Sequence, residues 1–185
     1  RNTYFSETFR SGIEFSAPQA AFDELKTALQ KENKKDIAKA LETLKKEFAN
    51  IHNKDYDHEV DRKVAKVLIP LYASKVSAEA LPDFYQTVQK QFNGDYNAYV
   101  DALYDNSIFA SEKNFDAFMA NPTVEAIDKD LAVQYTVARN AKYKELADQL
   151  SNARGDINLL HKTYVRGLCE MYAPTPKAPD ANFTL

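Results

Sequence analysis

The sequence predicts an all-α fold: an irregular multi-helix bundle in which about six or seven shorter helices pack on one very long C-terminal helix. Three observations support that class. Apolar residues recur at gaps of three and four through most segments. No segment combines period-two alternation with turn signals at hairpin spacing. The stretch from Thr123 to Tyr172 holds no proline and only two glycines, Gly155 and Gly167. Within it Leu146, Leu150, Ala153, Ile157, Leu160, Tyr164, Leu168 and Met171 fall on one helical face. Leu131, Tyr135, Ala138 and Ala141 continue that face more loosely. A single helix here would be about 60–70 Å long, and the preceding residues are expected to wall in its stripe. Gly155 is its expected weak point, a bend or a close crossing.

The shorter helices follow in chain order. Thr3 to Glu14 reads as a short helix offering Tyr4, Phe5, Phe9 and Ile13 for burial. Pro18 suits a first helical position, and Phe22, Leu25 and Leu29 give the next helix its face. After a polar break at Asn33 to Lys35, Ile37, Leu41, Leu44, Phe48 and Ile51 form an amphipathic helix. The next starts near Asp57, whose carboxylate, with Glu59 and Asp61, suits a positive helix N-terminus. Pro70 is expected to kink or end it. Ser77 is expected to cap the helix carrying Leu81, Phe84, Tyr85, Val88 and Phe92. Gly94 stops that helix as a left-handed residue. Asp95 caps one built on Tyr96, Tyr99, Val100, Leu103 and Tyr104. Ser107 to Ser111 is a connection, and Phe115, Phe118 and Met119 mark a further short helix. There is no convincing repeat of solenoid length.

The tail differs. Ala173 to Asp180 contains Pro174, Pro176 and Pro179, and the last residues, from Ala181 to Leu185, have strand-like character. We divide the chain at this point, into a helical domain at 1–172 and a linker with the start of a β-structure at 173–185. Arg1 stands where a starting Met would, and no signal-peptide pattern follows. The sequence is therefore expected to be a processed chain or a piece of a longer one, its β partner cut away.

Composition narrows the function classes. The 185 residues are enough for a real core, and 44% are apolar, which excludes a disordered chain. A net charge of −3 disfavours nucleic acid, which calls for a basic patch. The pairs Lys34-Lys35 and Lys45-Lys46 read as solvated helix faces. No apolar run reaches a membrane span. The single cysteine, Cys169, cannot form an internal disulfide and is expected to be a buried, inert thiol.

The search for chemistry yields no catalytic, cofactor-binding or metal residue. The best metal candidate is Asp55, Asp57, His58, Glu59 and Asp61. In a zincin a second histidine follows four residues after the first, and here that position is Arg62. In a calcium loop starting at Asp55 the sixth residue should be glycine, and it is Val60. His52, His58 and His161 are far apart, and no serine sits in a Gly-x-Ser-x-Gly elbow. The tyrosines read as core and interface residues. Residue chemistry alone leaves two readings level: a helical piece of a larger enzyme, or a stand-alone helical module that binds a peptide or protein.

Several short motifs in collinear order go further. They are Thr3-Tyr4-Phe5-Ser6-Glu7-Thr8, Asp61-Arg62-Lys63-Val64, Leu81-Pro82-Asp83-Phe84, Phe92-Asn93-Gly94-Asp95, Asp105-Asn106-Ser107 and Glu170-Met171-Tyr172. Pro179-Asp180-Ala181-Asn182-Phe183-Thr184-Leu185 closes the series. Together they resemble the helical domain of the bacterial dipeptidyl-peptidases 7 and 11, chymotrypsin-like serine exopeptidases, over essentially the whole chain. The resemblance implies an all-α cap inserted in a double β-barrel that carries a His-Asp-Ser triad. It also implies removal of dipeptides from the free N-terminus of oligopeptides, without a cofactor. It places the parent, typically a homodimer, in the periplasm or at the surface of a Gram-negative bacterium. The closing heptapeptide would be the re-entry into the barrel. Triad and amine-clamping residues lie outside this segment in such enzymes, so none is assigned here, and type 7 is not separated from type 11.

Overall fold

A computed structural model describes residues 2–53 and 55–172. Among them the regular structure is entirely helical. Helix α1, Asn2–Phe5, runs directly into a π-helical turn, Ser6–Arg10. Then come α2 at Gln19–Gln30, α3 at Lys34–Ile51 and α4 at His58–Lys75. A 3-10 turn at Ala78–Ala80 leads to α5 at Phe84–Gln91. The rest are α6 at Tyr96–Asn106, α7 at Glu112–Ala120, α8 at Val124–Lys129 and α9 at Leu131–Met171. The all-α class and the long last helix are as the sequence predicts.

Most helix starts follow from local side-chain chemistry. Asn33, Asp57, Asp95, Ser111 and Thr123 each accept a backbone N–H from the first turn that follows. Gly94, at φ 80°, ends α5 in the left-handed region, and its N–H donates to the Val88 carbonyl.

Three expectations need correction, and the alternatives for Pro70 narrow. The helix expected over Thr3 to Glu14 ends at Arg10, because its second half winds as a π turn closed by Ser11 N donating to Ser6 O at 3.0 Å. Pro70 does not end α4, which continues to Lys75. Fully buried Ile69 and Tyr72 on either side of Pro70 anchor that segment. Ser77 makes no capping bond and precedes only the 3-10 turn, and α5 begins after Pro82 and Asp83. The stretch from Thr123 is broken at Asp130, where ψ is 124°. Asp130 instead caps α9, its Oδ1 accepting from Val133 N at 2.9 Å.

The chain forms two compact units, Arg1–Lys144 and Glu145–Leu185. The first has an aromatic core. Phe9 packs with Tyr72 at 4.8 Å and Phe84 at 5.7 Å between ring centroids, and Phe84 meets Tyr135 of α9 at 5.1 Å. A second cluster joins Phe109 to Phe22, Phe48 and Phe115, each at about 5.5 Å. Here α2 packs chiefly on α3, and α4 on α6.

In the second unit, of which residues 145–172 are described, Leu146 is buried, but Ile157, Leu160, Tyr164 and Met171 are 63–75% exposed. Among the described residues the expected burial of the whole stripe is therefore wrong beyond its first residues: the helical period is there and its side chains are exposed. Cys169 is likewise exposed rather than buried. A Cβ built on Gly155 or Gly167 has no neighbour within 4 Å, so neither glycine marks a close crossing. The strand expected at 173–185 lies outside the described residues. Among those residues no helix is long and apolar enough to cross a membrane.

Candidate functional site

The acid–histidine run at the start of α4 is distributed into separate jobs. Asp57 caps the helix, accepting from Glu59 N and Val60 N at 3.0 Å. His58 donates from Nε2 to the Tyr104 carbonyl at 2.9 Å, and its Nδ1 lies 3.2 Å from the Tyr56 hydroxyl. Asp61 is buried on the same side, against Tyr104. Its carboxylate accepts from Glu14 N and Phe15 N, both at 2.9 Å, and from the Tyr104 hydroxyl at 2.7 Å. Among the described residues, no three His, Cys, Asp or Glu side chains come together in a way that could hold a metal.

Asp61 thus ties the 14–15 segment to α4 and α6. Asp130 does the same for the 107–108 connection and α9, accepting from Ile108 N at 2.6 Å and Val133 N at 2.9 Å. Burial raises the Asp130 carboxyl above its ordinary range, although these backbone donors pull the other way. His52 donates to the Phe109 carbonyl at 2.6 Å, and His161 is exposed on α9. Burial pushes the phenols of Tyr85, Tyr99 and Tyr104 well above their ordinary value, with Asp61 adding to the effect at Tyr104. They stay neutral and are not proton acceptors at physiological pH. Apart from His161, these groups hold the fold together.

A different place has the geometry to hold a ligand. The segment between the π turn and α2 passes over the first part of α9. Ala17 N donates to Thr136 Oγ1 at 3.0 Å, and Asn140 Nδ2 donates to Gln19 Oε1 at 2.9 Å. Between the two lies a recess of about 430 Å³ lined by Phe5, Phe9, Ile13 and Tyr143, with Arg10, Arg139, Glu14, Ser16 and Asn140. Arg139 donates from Nη1 to the Phe9 carbonyl at 3.3 Å, and its Cζ lies 5.6 Å from the Tyr135 ring centre. Arg10 reaches the Tyr143 hydroxyl at 3.5 Å and sits 5.9 Å over that ring. Neither arginine was singled out by sequence reasoning. They lie far apart in the sequence, near the two ends of the segment that forms the first unit, and no motif spacing connects them.

Comparison with known proteins places the whole chain. The family model for peptidase S46 matches residues 1–185. The chain is 57% identical over 183 residues to the dipeptidyl-peptidase 7 of Phocaeicola vulgatus, covering 99% of this chain and 25% of that protein. It is 37% identical to the Asp/Glu-specific dipeptidyl-peptidase of Porphyromonas gingivalis, covering 94% of this chain and 24% of that one. To the dipeptidyl-peptidase 7 of Porphyromonas gingivalis the identity is 31%, over 99% of this chain and 25% of the relative. Identity in this segment therefore does not sort the relatives by their specificity names. Among solved structures, Porphyromonas endodontalis DPP11 superposes with a TM-score of 0.79 at 26% identity, over 98% of this chain and 26% of that one. The chain spans about a quarter of the length of the curated relatives it matches. With the match covering the chain from end to end, it belongs to the peptidase S46 family.

Proposed function

We propose that this chain is the helical cap of a serine dipeptidyl-peptidase, an enzyme that releases dipeptides from the free N-terminus of oligopeptides. The observation that carries the reading is the end-to-end similarity to a dipeptidyl-peptidase, of whose length this chain matches a quarter. In the parent, a serine would attack the scissile carbonyl, a histidine would act as general base and an aspartate would orient it. Those groups belong to segments other than this one. The role of residues 1–172 is to roof the cleft, restrict access to peptide ends and hold water away from the reacting bond. The parent's β-barrel is the cap's first partner, the parent works as a homodimer, and the compartment is the periplasm or cell surface. The resemblance supports these three features.

The test uses fluorogenic dipeptidyl arylamides with free and acetylated N-termini. The full-length parent is expected to cleave the free form and not the acetylated one. This chain alone is expected to cleave neither. Release of dipeptide by the purified 185-residue chain, or equal cleavage of the acetylated substrate by the parent, would contradict the reading.

A further inference from the structure

We propose that the recess between the Phe5–Ser16 segment and α9 is a binding site for the C-terminal carboxylate of a peptide whose last side chain is apolar.

The backbone on one side is specialised. The π turn Ser6–Arg10 places Phe9 fully in the core and the next residue, Arg10, at the rim of the recess. Such turns are rare and recur at functional positions. Gly12 follows after Ser11. A Cβ there would lie 2.4 Å from Leu68 Cδ1 and 2.5 Å from the Glu7 carbonyl oxygen, so the chain passes where only glycine fits.

The charges point the same way. Arg10 and Arg139 both line the recess, and each is held by neutral groups: a tyrosine hydroxyl, a backbone carbonyl and aromatic faces. Among the described residues neither pairs with a carboxylate. Arg62 shows the contrast, since it bonds Asp101 and Asp105. A guanidinium carries five N–H donors, so most of those at the recess stay available for a planar anion. Glu14 also lines the recess and sets the ligand's charge. Two guanidiniums against one carboxylate suit a monoanion and disfavour a phosphate dianion. Tyr143, 38% exposed, supplies the apolar surface beside the charges, with buried Phe5, Phe9 and Ile13 packed behind the recess wall, and Ser16 and Asn140 add neutral hydrogen-bonding groups. The volume matches a small-ligand pocket and accommodates one or two residues. A peptide's C-terminal residue combines a single carboxylate with an adjacent side chain in that arrangement. The site does not depend on the catalytic reading above.

The test is calorimetric titration of the 185-residue chain with N-acetyl-Ala-Phe, its C-terminal amide, and N-acetyl-Glu-Phe amide. The expected result is saturable binding of the free acid, with both amides weaker by about tenfold or more. Added salt should weaken the free acid. Arg10→Ala, at an exposed position, is expected to reduce binding of the free acid by about tenfold, and Arg139→Lys by about threefold. Arg154→Ala, an exposed arginine elsewhere on α9, should leave it unchanged. Absence of saturable binding up to about 10 mM, equal binding of acid and amide, or retention of affinity in Arg10→Ala would overturn the proposal. Tight binding of the Glu-containing amide would overturn the C-terminal assignment in favour of an acidic side chain.

Discussion

The two parts of α9 obey the same helical period and meet different surroundings. Between Leu131 and Lys144, Ala132, Val133, Tyr135 and Thr136 are buried among the aromatic side chains of the first unit. Between Ile157 and Met171, residues with equally good apolar spacing stand in solvent, Leu160 at 69% and Met171 at 75%. Periodicity therefore reports which face of a helix is apolar, and it does not report what covers that face. The stability of the first unit comes from burial of its apolar surface and from buried carboxylates that bind backbone donors across elements. The second stretch is held as a helix by its own backbone bonds and by local pairs such as Arg166 with Glu170.

The contrast can be broken most sharply at Asp61. Asp61→Ala removes the acceptor for two backbone N–H groups and the Tyr104 hydroxyl, leaving buried donors without a partner. It should cost about 3–5 kcal/mol in urea unfolding. Leu160→Ala, in the exposed stripe, should cost less than about 0.5 kcal/mol in the same measurement. Equal losses at the two positions would end the distinction between the regions.

A glycine pair sharpens it further. Gly12→Ala forces a methyl group against Leu68 and two carbonyl oxygens, at 2.4–2.8 Å. The expected cost is about 1–3 kcal/mol. Gly155→Ala meets nothing within 4 Å in the middle of a helix. It should raise helical stability by about 0.5–1 kcal/mol, seen as a gain in far-ultraviolet ellipticity and in midpoint.

The smallest expected effect lies at the α4–α6 seam. Lys66, then Arg62, hold the Asp101 carboxyl below its ordinary 3.8. An aspartate with a lowered folded pKa contributes stability that is present above its unfolded value and lost as pH falls through the folded one. Unfolding midpoints should therefore decline below about pH 4, and Asp101→Asn should flatten part of that decline. The groups are partly exposed, so the difference should stay under about 1 kcal/mol.

What the sequence made legible was local. Asp57 and Asp95 announce helix starts because a cap needs only the residues of the next turn, and Gly94 announces a stop for the same reason; Asn33, Ser111 and Thr123 cap by the same chemistry but read in the sequence only as breaks and boundaries. What stayed hidden depends on partners distant in the chain. Asp130 interrupts the predicted helix because its carboxylate also serves Ile108 N, a pairing that no local pattern encodes. Pro70 sits inside α4, flanked by core residues that no local pattern identifies as anchors. Cys169 and the stripe around it read as core because composition cannot show which faces lack a neighbour. The recess escaped notice because Arg139 meets Phe9 across 130 positions. No catalytic residue is assigned because the family resemblance puts the triad in other segments.

Hydrogen exchange on the 185-residue chain, resolved by residue, tests the central claim most directly. That claim is that the first unit is a self-sufficient core and the far part of α9 is helix without a core. The account predicts that amides of Leu25, Leu44, Ile69 and Leu103 exchange only through global unfolding. Those from Leu160 to Met171 should exchange orders of magnitude faster, by local opening. Uniform protection along both regions would contradict it.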